Sequence, residues 1–375
     1  MKNQIKTVFT FAFITALANS CVKIPSDNEY PDISKYTVHV AGQLDYRIGC
    51  YWKNGERTDF AATESRMRAT STGISVSNGN VYVSGHYDTD HISCHVPCYW
   101  KNGQKTDLPL NGYFGGYTND IFVSGSDVYV AGMVTAAIKD KRFEILQPCY
   151  WKNNTLVVIT DYPDLFENIL EFQYDETDLP VKITCIHVSN GDVYVGGKYD
   201  KGDKKDNYYR EPKQACYWRN GVRTDLPGNN SFVNGIFVEG GKVYASGGCD
   251  FLAQTPYETV GSACYWVDGQ KVDLSNGGSY ASTSAIFVEN GTAYISGSAC
   301  YWKNKSKTVL NAKRRGAHIV TKSIFVKDGI VFTCGSYDDW TNNDHFELPC
   351  YWANKKFVPL PGAERWGQAT GIFVE

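Results

Sequence analysis

The residues of this chain that are capable of chemistry gather in a few short stretches. Between His86 and Cys98 stand His86, Asp88, Asp90, His91, Cys94, His95 and Cys98, a mixture of imidazole, thiol and carboxylate that could supply a zinc site. His91, Cys94 and His95 are the weak metal candidates within it. No pair of closely spaced ligand knuckles is present, and Cys98 belongs to a repeat described below, so no resident metal is expected. A second group is aromatic and acidic: Trp340 and Trp366, with Tyr337, Asp338, Asp339 and Arg365 near them in sequence. Sugar rings present apolar C–H faces that stack on indole, while carboxylates and guanidinium bind hydroxyls. These residues make a candidate glycan shelf or, on the alternative reading, a mini-core of their own loops. Tyr117 and Tyr280, with Tyr113, Phe114 and Phe232, extend the aromatic set to other connections.

A Gly-x-Tyr-Asp step recurs at Tyr87-Asp88, Tyr199-Asp200 and Tyr337-Asp338. Because it recurs, its Asp is expected to accept loop backbone N–H groups rather than to catalyse. Acidic loop residues could still support glycoside cleavage, which needs two suitably separated carboxyls. The H-E-x-x-H, P-loop, dinucleotide-binding and G-x-S-x-G patterns are all missing from the sequence, which argues against the standard protease, kinase, dehydrogenase and esterase chemistries. No cofactor is expected.

The elements that must position these residues are written as a repeat. Cys-Tyr-Trp begins at Cys50, Cys98, Cys149, Cys216, Cys264, Cys300 and Cys350, at spacings of 48, 51, 67, 48, 36 and 50. A polar turn such as Lys53-Asn54-Gly55 follows, and then usually a short strand such as Lys105 to Leu108. Upstream of the tripeptide lies a hairpin of the form Ile121-Phe122-Val123, turn, Val128-Tyr129-Val130, and its Asn-Gly or Gly-Gly turns supply the positive φ that tight hairpins need. Each unit therefore holds four strands, A (Ile-Phe-Val), B (Val-Tyr-Val-Ser-Gly), C (Cys-Tyr-Trp) and D (Lys-Thr-Asp-Leu). Four-stranded units of about fifty residues mean propeller blades. Their near-continuous apolar runs suit sheets that are covered on both faces.

The predicted fold is all-β, a seven-bladed β-propeller over residues 36–375. Val38 to Gly42 reads as a B strand with no A before it, and Gly371 to Glu375 as an A strand with no B after it. Pairing these two segments closes the ring and removes its open edges. The A-to-B and C-to-D turns are tight, whereas the B-to-C and D-to-A connections are long, so one face of the disc is trimmed and the other elaborated. Long loops are expected over His86 to Pro97, Met133 to Pro148, Lys198 to Ala215, Gly248 to Ala263 and Ser336 to Pro349. Only Ser298-Ala299 separates B from C in blade six. An insert over Asp161 to Asp178 reads as a short helix with Leu165, Ile169 and Phe172 on one face.

The unit Ile-Phe-Val, Asn-Gly, Val-Tyr-Val-Ser-Gly, Cys-Tyr-Trp-Lys-Asn-Gly resembles the blade repeat of uncharacterised propeller lipoproteins from Bacteroidetes-type bacteria. The strand order also looks like that of WD40 and kelch propellers, without their signature residues. The lipoprotein resemblance implies a fold and an address but no activity and no catalytic residue. The start of the chain agrees with that address. Lys2 and Lys6 precede an apolar run from Val8 to Ala18, and Ser20 precedes Cys21. This reads as a signal peptide over residues 1–20 with Cys21 as the lipidation site, followed by a tether over residues 21–35. The expected location is the outer membrane, on its periplasmic or cell-surface side.

The net charge is −3, with 42% hydrophobic and 14% aromatic residues. Such a balance excludes a disordered chain and gives no electrostatic footprint for phosphate backbones, so no nucleic-acid partner is expected. Of the 12 cysteines, seven lie in the repeat and are expected as buried apolar residues, while Cys334 with Cys350 or Cys249 with Cys264 could bridge neighbouring strands. The first functional expectation is a monomeric, non-catalytic binding or scaffold lipoprotein that takes a glycan or protein ligand on its long-loop face. The alternative is a carbohydrate-active hydrolase or lyase that uses loop carboxylates in the central funnel.

Overall fold

The computed structural model describes residues 30–60, 68–88, 95–137, 144–161, 181–201, 213–255, 258–275, 281–312, 317–341 and 344–375. They form seven four-stranded antiparallel sheets. Blade one is β28 (Gly367–Val374), β1 (Val38–Leu44), β2 (Ile48–Lys53) and β3 (Glu56–Asp59). Blade two is β4 (Ala69–Ser77), β5 (Asn80–Asp88), β6 (His95–Lys101) and β7 (Gln104–Asp107), and blade three is β8 (Gly115–Ser124), β9 (Asp127–Ala137), β10 (Glu144–Lys152) and β11 (Thr155–Val158). Blade four comprises β12 (Val181–Ser189), β13 (Asp192–Asp200), β14 (Lys213–Arg219) and β15 (Val222–Asp225). Blade five comprises β16 (Phe232–Glu239), β17 (Lys242–Thr255), β18 (Glu258–Val267) and β19 (Gln270–Asp273). Blade six holds β20 (Thr283–Glu289), β21 (Thr292–Gly297), β22 (Cys300–Lys303) and β23 (Ser306–Val309). Blade seven holds β24 (Ile319–Lys327), β25 (Ile330–Thr341), β26 (Asp344–Ala353) and β27 (Lys356–Pro359).

The predicted closure is present. Strands β28 and β1 pair antiparallel, from Val38 opposite Val374 to Leu44 opposite Gly367. The first strands of successive blades also touch around the whole circuit, with β28 meeting β24 on one side and β4 on the other. The seven-bladed propeller expected from the repeat is therefore the fold.

Each conserved-looking word of the repeat has a mechanical reason. In the C-to-D turns Asn54, Asn102 and Asn220 adopt positive φ ahead of a positive-φ glycine. The side chains of the turn residues also reach sideways: Asn54, Asn102, Asn153, Asn220, Asp268, Asn304 and Asn354 each accept an N–H from the first or second residue of strand B in their own blade. The glycine that ends strand B is required by close approach. A Cβ at Gly42 would meet Trp52 at 2.6 Å, and one at Gly297 would meet Trp302 at 2.5 Å. The tryptophan so seated then ties blades together, because Trp52, Trp151, Trp218, Trp266 and Trp352 each donate to a carbonyl just beyond strand D of the preceding blade. Burial of these indoles contributes roughly 1.5–3 kcal/mol each or more.

The inner strands carry two girdles. The residue between Ile and Val is aromatic in most repeats, and the rings run Phe122, His187, Phe237, Phe287, Phe325, Phe373 with successive centroids 4.4–4.9 Å apart. Nearer the long-loop end every inner strand breaks register at a bulge, for example between Ser71 and Gly73 or Thr321 and Ser323. There Thr72, Asn119, Thr184 and Asn234 each bond to the inner strand of the next blade.

Several long connections are not the loops that the sequence suggested. Strands B and C run on as one ladder to Thr341 and from Asp344 in blade seven, and to Ala137 and from Glu144 in blade three. Continuing the ladder satisfies backbone groups that a loop would leave to water. The tight blade-six connection at Ser298-Ala299 is present, with Ala299 at φ 54°. Residues 1–20, Cys21 and the insert beyond Asp161 lie outside the described residues. Within the described residues no helix is long and apolar enough to cross a membrane. All ten described cysteines are free thiols, including both pairs considered for bridging.

Candidate functional site

The blade-seven hairpin fixes which of its side chains can act together. In the β25–β26 ladder Ser336 lies opposite Pro349, Asp338 opposite Glu347, and Trp340 opposite His345. Side chains alternate along a strand, so these residues share one face. Tyr337 and Asp339 project from the other. The structure accordingly divides the shelf expected from the sequence. Tyr337 is buried edge-on to Phe357, with ring centroids 4.9 Å apart, whereas Trp340 is 52% exposed and lies over His345 at 4.6 Å.

The column of Asp338, Trp340, His345 and Glu347 is polar, accessible and well anchored. Glu347 Oε1 accepts hydrogen bonds from Ser336 Oγ and from Gln368 Nε2, both at 2.7 Å. Because Gln368 lies on β28, the first strand of blade one, Glu347 is held at the rim where blades seven and one meet. Asp338 Oδ2 stands 3.2 Å from His345 Nε2 and 4.0 Å from His318 Nδ1, and its own N–H donates to the His318 carbonyl. Trp366 stacks on Tyr46 at 3.9 Å and 16°, and its backbone bridges to Glu347. Arg365 is exposed and gives its carbonyl to the Glu347 N–H. Trp340 and Trp366 are thus each paired with a different ring on either side of Glu347, not with each other.

The other sequence candidates are spread more widely. Tyr117 lies on inner strand β8, 6.1 Å from the His86 ring. Tyr280, His91 and Cys94 fall outside the described residues. His95 has its Nδ1 2.8 Å from Asp88 Oδ1, so one of its nitrogens is already engaged, and Cys98 is buried in a separate apolar cluster. Burial lowers His86 to about 4, with His95 adding to the effect. In blade five Cys249, Asp250 and Asp273 come together, but Lys271 Nζ lies 2.7 Å from Asp250 and 3.2 Å from Asp273. A protein ammonium takes the place that a metal cation would need.

The Gly-x-Tyr-Asp step is structural in its Tyr and variable in its Asp. Tyr87 and Tyr199 donate to Asp107 and Asp225 on strand D, under Lys105 and Arg223. The loops whose N–H groups the Asp residues of the step were expected to accept lie largely outside the described residues. Each Asp faces a C-strand partner, which is His95 for Asp88, Lys213 for Asp200 and Glu347 for Asp338. Glu347 was not singled out from the sequence, although the repeat contains the signal: Gly335 pairs with Cys350, and counting outward from that pair reaches Asp338 and Glu347 together. Asp120 was also passed over. Its equivalents in neighbouring repeats are Gly73, Cys185 and Gly235, and it accepts N–H groups from Ile121 and Ile186 at 2.8 and 3.0 Å. Burial raises its carboxyl to about 7, against the opposing pull of those two bonds.

A scan against protein-family models gives no match, and neither does a search of curated proteins. Solved structures do resemble the chain. A Bombyx mori GH32 beta-fructofuranosidase is 11% identical over 81% of this chain and 89% of its own, with a TM-score of 0.36. A Trypanosoma rangeli sialidase in complex with sialic acid is 10% identical over 82% and 56%, at 0.39, and a thermostable family-43 glycoside hydrolase is 11% identical over 71% and 93%, at 0.33. At this identity such likenesses concern the fold and transfer no residue, substrate or mechanism. The expectation of a non-catalytic binding or scaffold protein is set aside for the carbohydrate-active alternative, which is taken up below as a proposal.

Proposed function

We propose that the chain is a carbohydrate-active hydrolase whose site is the blade-seven rim. The observation that carries this reading is the direct opposition of Asp338 and Glu347 on one face of the β25–β26 hairpin. Directly opposed residues have Cβ atoms about 4.5–5.5 Å apart, so both carboxyls project from one rung, and a close carboxyl pair suits double displacement through a glycosyl-enzyme intermediate. Glu347, oriented by Ser336 and Gln368, is the nucleophile in this scheme. Asp338, in contact with the imidazole of His345, is the acid–base group, protonating the leaving oxygen and then deprotonating the attacking water. Trp340, exposed beside the pair, supplies a stacking surface for a sugar ring, and the Tyr46–Trp366 stack flanks Glu347 on the other side.

The signal-like start of the chain and Cys21 support a place outside the cytoplasm, with a lipid anchor on the outer membrane and a glycan as the partner. The test of the catalytic reading is release of reducing ends from a panel of polysaccharides, followed for the intact protein and for Glu347→Gln. Turnover by the parent that is lost in the variant supports it, and turnover that survives the substitution overturns it.

A further inference from the structure

The inner strands show which kind of sugar this site would take. The position two residues before the Ile of Ile-Phe-Val holds an uncharged hydrogen-bonding residue in six repeats, among them Thr72, Asn119, Thr184 and Asn234, and a lysine in blade seven, Lys322. Four of these six neutral side chains bond to the inner strand of the next blade. Lys322 makes no such bond among the described residues, and its side chain is exposed. An unpaired ammonium at a stitching position contributes nothing to closing the ring, so its placement calls for another reason.

Its location supplies one. Lys322 sits at the β24 bulge, two residues beyond Val320, and Val320 pairs with Ser336, which holds Glu347. Lys322 is therefore close along the strand to the rung that carries Ser336, at a point where the bulge re-aims the side chain. The charge of the inner strands is one-sided as well. Glu239, Glu289 and Lys327 end their strands at the tight-turn face, and Asp120 is engaged by backbone N–H groups. Lys182 and Lys322 are left on the long-loop half. Lys182 is placed directly opposite Lys198 in the β12–β13 ladder, a like-charge arrangement that costs stability.

We propose that Lys322 binds the carboxylate of an acidic sugar whose glycosidic bond lies at the Asp338–Glu347 pair, so that the substrate is a uronate-bearing glycan. This inference rests on the carbohydrate-active reading above. The test is calorimetric titration of the full chain at low ionic strength with galacturonate, glucuronate and their short oligomers, with glucose and inorganic sulfate as controls. Lys322→Met is expected to lose at least tenfold in uronate affinity and Lys322→Arg to stay within about threefold, with unchanged melting temperatures. Uronates that bind no more tightly than glucose, binding matched by sulfate, or binding unaffected in Lys322→Met would overturn it. A polysaccharide panel separates the two levels. Cleavage of neutral glycans alone, insensitive to Lys322→Met, removes the acidic-sugar inference and keeps the hydrolase. Lys322-dependent uronate binding with no cleavage of any glycan removes the hydrolase and keeps the anion site.

Discussion

Blades four and seven carry the same Gly-x-Tyr-Asp step at the same level of the ring and use it in opposite ways. In blade four Asp200 faces Lys213 across the ladder at 2.7 Å, with the two side chains only 6% and 9% exposed. In blade seven the equivalent Asp338 faces Glu347, a second carboxylate, at an accessible rim lined by His345 and Trp340. One scaffold position thus holds a neutralised, buried ion pair in one blade and two acids side by side in another. Opposed like charges weaken a ladder, and folding gives no reason to choose them. The charge-neutral pair explains itself by stability. The acidic pair needs chemistry to explain it.

The contrast can be broken most forcefully from the blade-four side. Lys213→Ala removes the ammonium that faces buried Asp200 across the ladder and should destabilise the protein by about 3–5 kcal/mol, read as a lower urea midpoint, whereas Asp338→Asn should leave that midpoint nearly unchanged. Equal losses in both variants would erase the distinction between the blades. A second prediction concerns the seam where blade three meets blade four. The folded-state carboxyl of Asp120 is raised to about 7 from 3.8, so the native state holds a proton there that the unfolded chain has released. Stability should therefore fall as pH rises from about 4 to about 7 and level off above, by on the order of 2–4 kcal/mol relative to Asp120→Asn. The buried histidines His86 and His187, lowered to about 4, are common to both proteins and cancel in the difference. Melting curves at pH 4.5, 6 and 8 give the slope, and a gap between the two proteins that does not change with pH refutes the linkage.

On the blade-seven side, Glu347→Gln should lower polysaccharide turnover by about a hundredfold or more while the melting temperature stays within a few degrees. Trp340→Ala is the mildest change. Loss of one stacking surface, about 0.5–1.5 kcal/mol, should raise KM by roughly three- to tenfold with kcat little altered, and initial-rate kinetics would reveal the split. A matching loss in kcat would mean that Trp340 orients the reacting groups as well as the sugar.

How far these regions could be read in advance depended on what repeats and what does not. The seven Cys-Tyr-Trp words, the Asn-Gly turns and the half-blades at the two ends dictated a closed ring, because each is a local requirement for φ, close packing or edge pairing that one short segment states by itself. Trp340 and Trp366 were visible as leftovers outside the repeat, and Asp338 as a member of the recurring Gly-x-Tyr-Asp step. Glu347, Asp120 and Lys322 were not, although each departs from its equivalents in the other blades. Their meaning comes from partners that are remote in sequence or across a ladder: Gln368 for Glu347, Ile186 for Asp120, and an unfilled stitching role for Lys322. Tyr337 and Asp339 are neighbours of Asp338 in the chain, yet strand alternation turns them to the opposite face. Order along the chain and local backbone preference therefore determined the ring. Which side chains share a face was decided only by how far the β25–β26 ladder extends and by the packing of blade seven against blade one, since cross-strand register and inter-blade contact are properties of the assembled sheet.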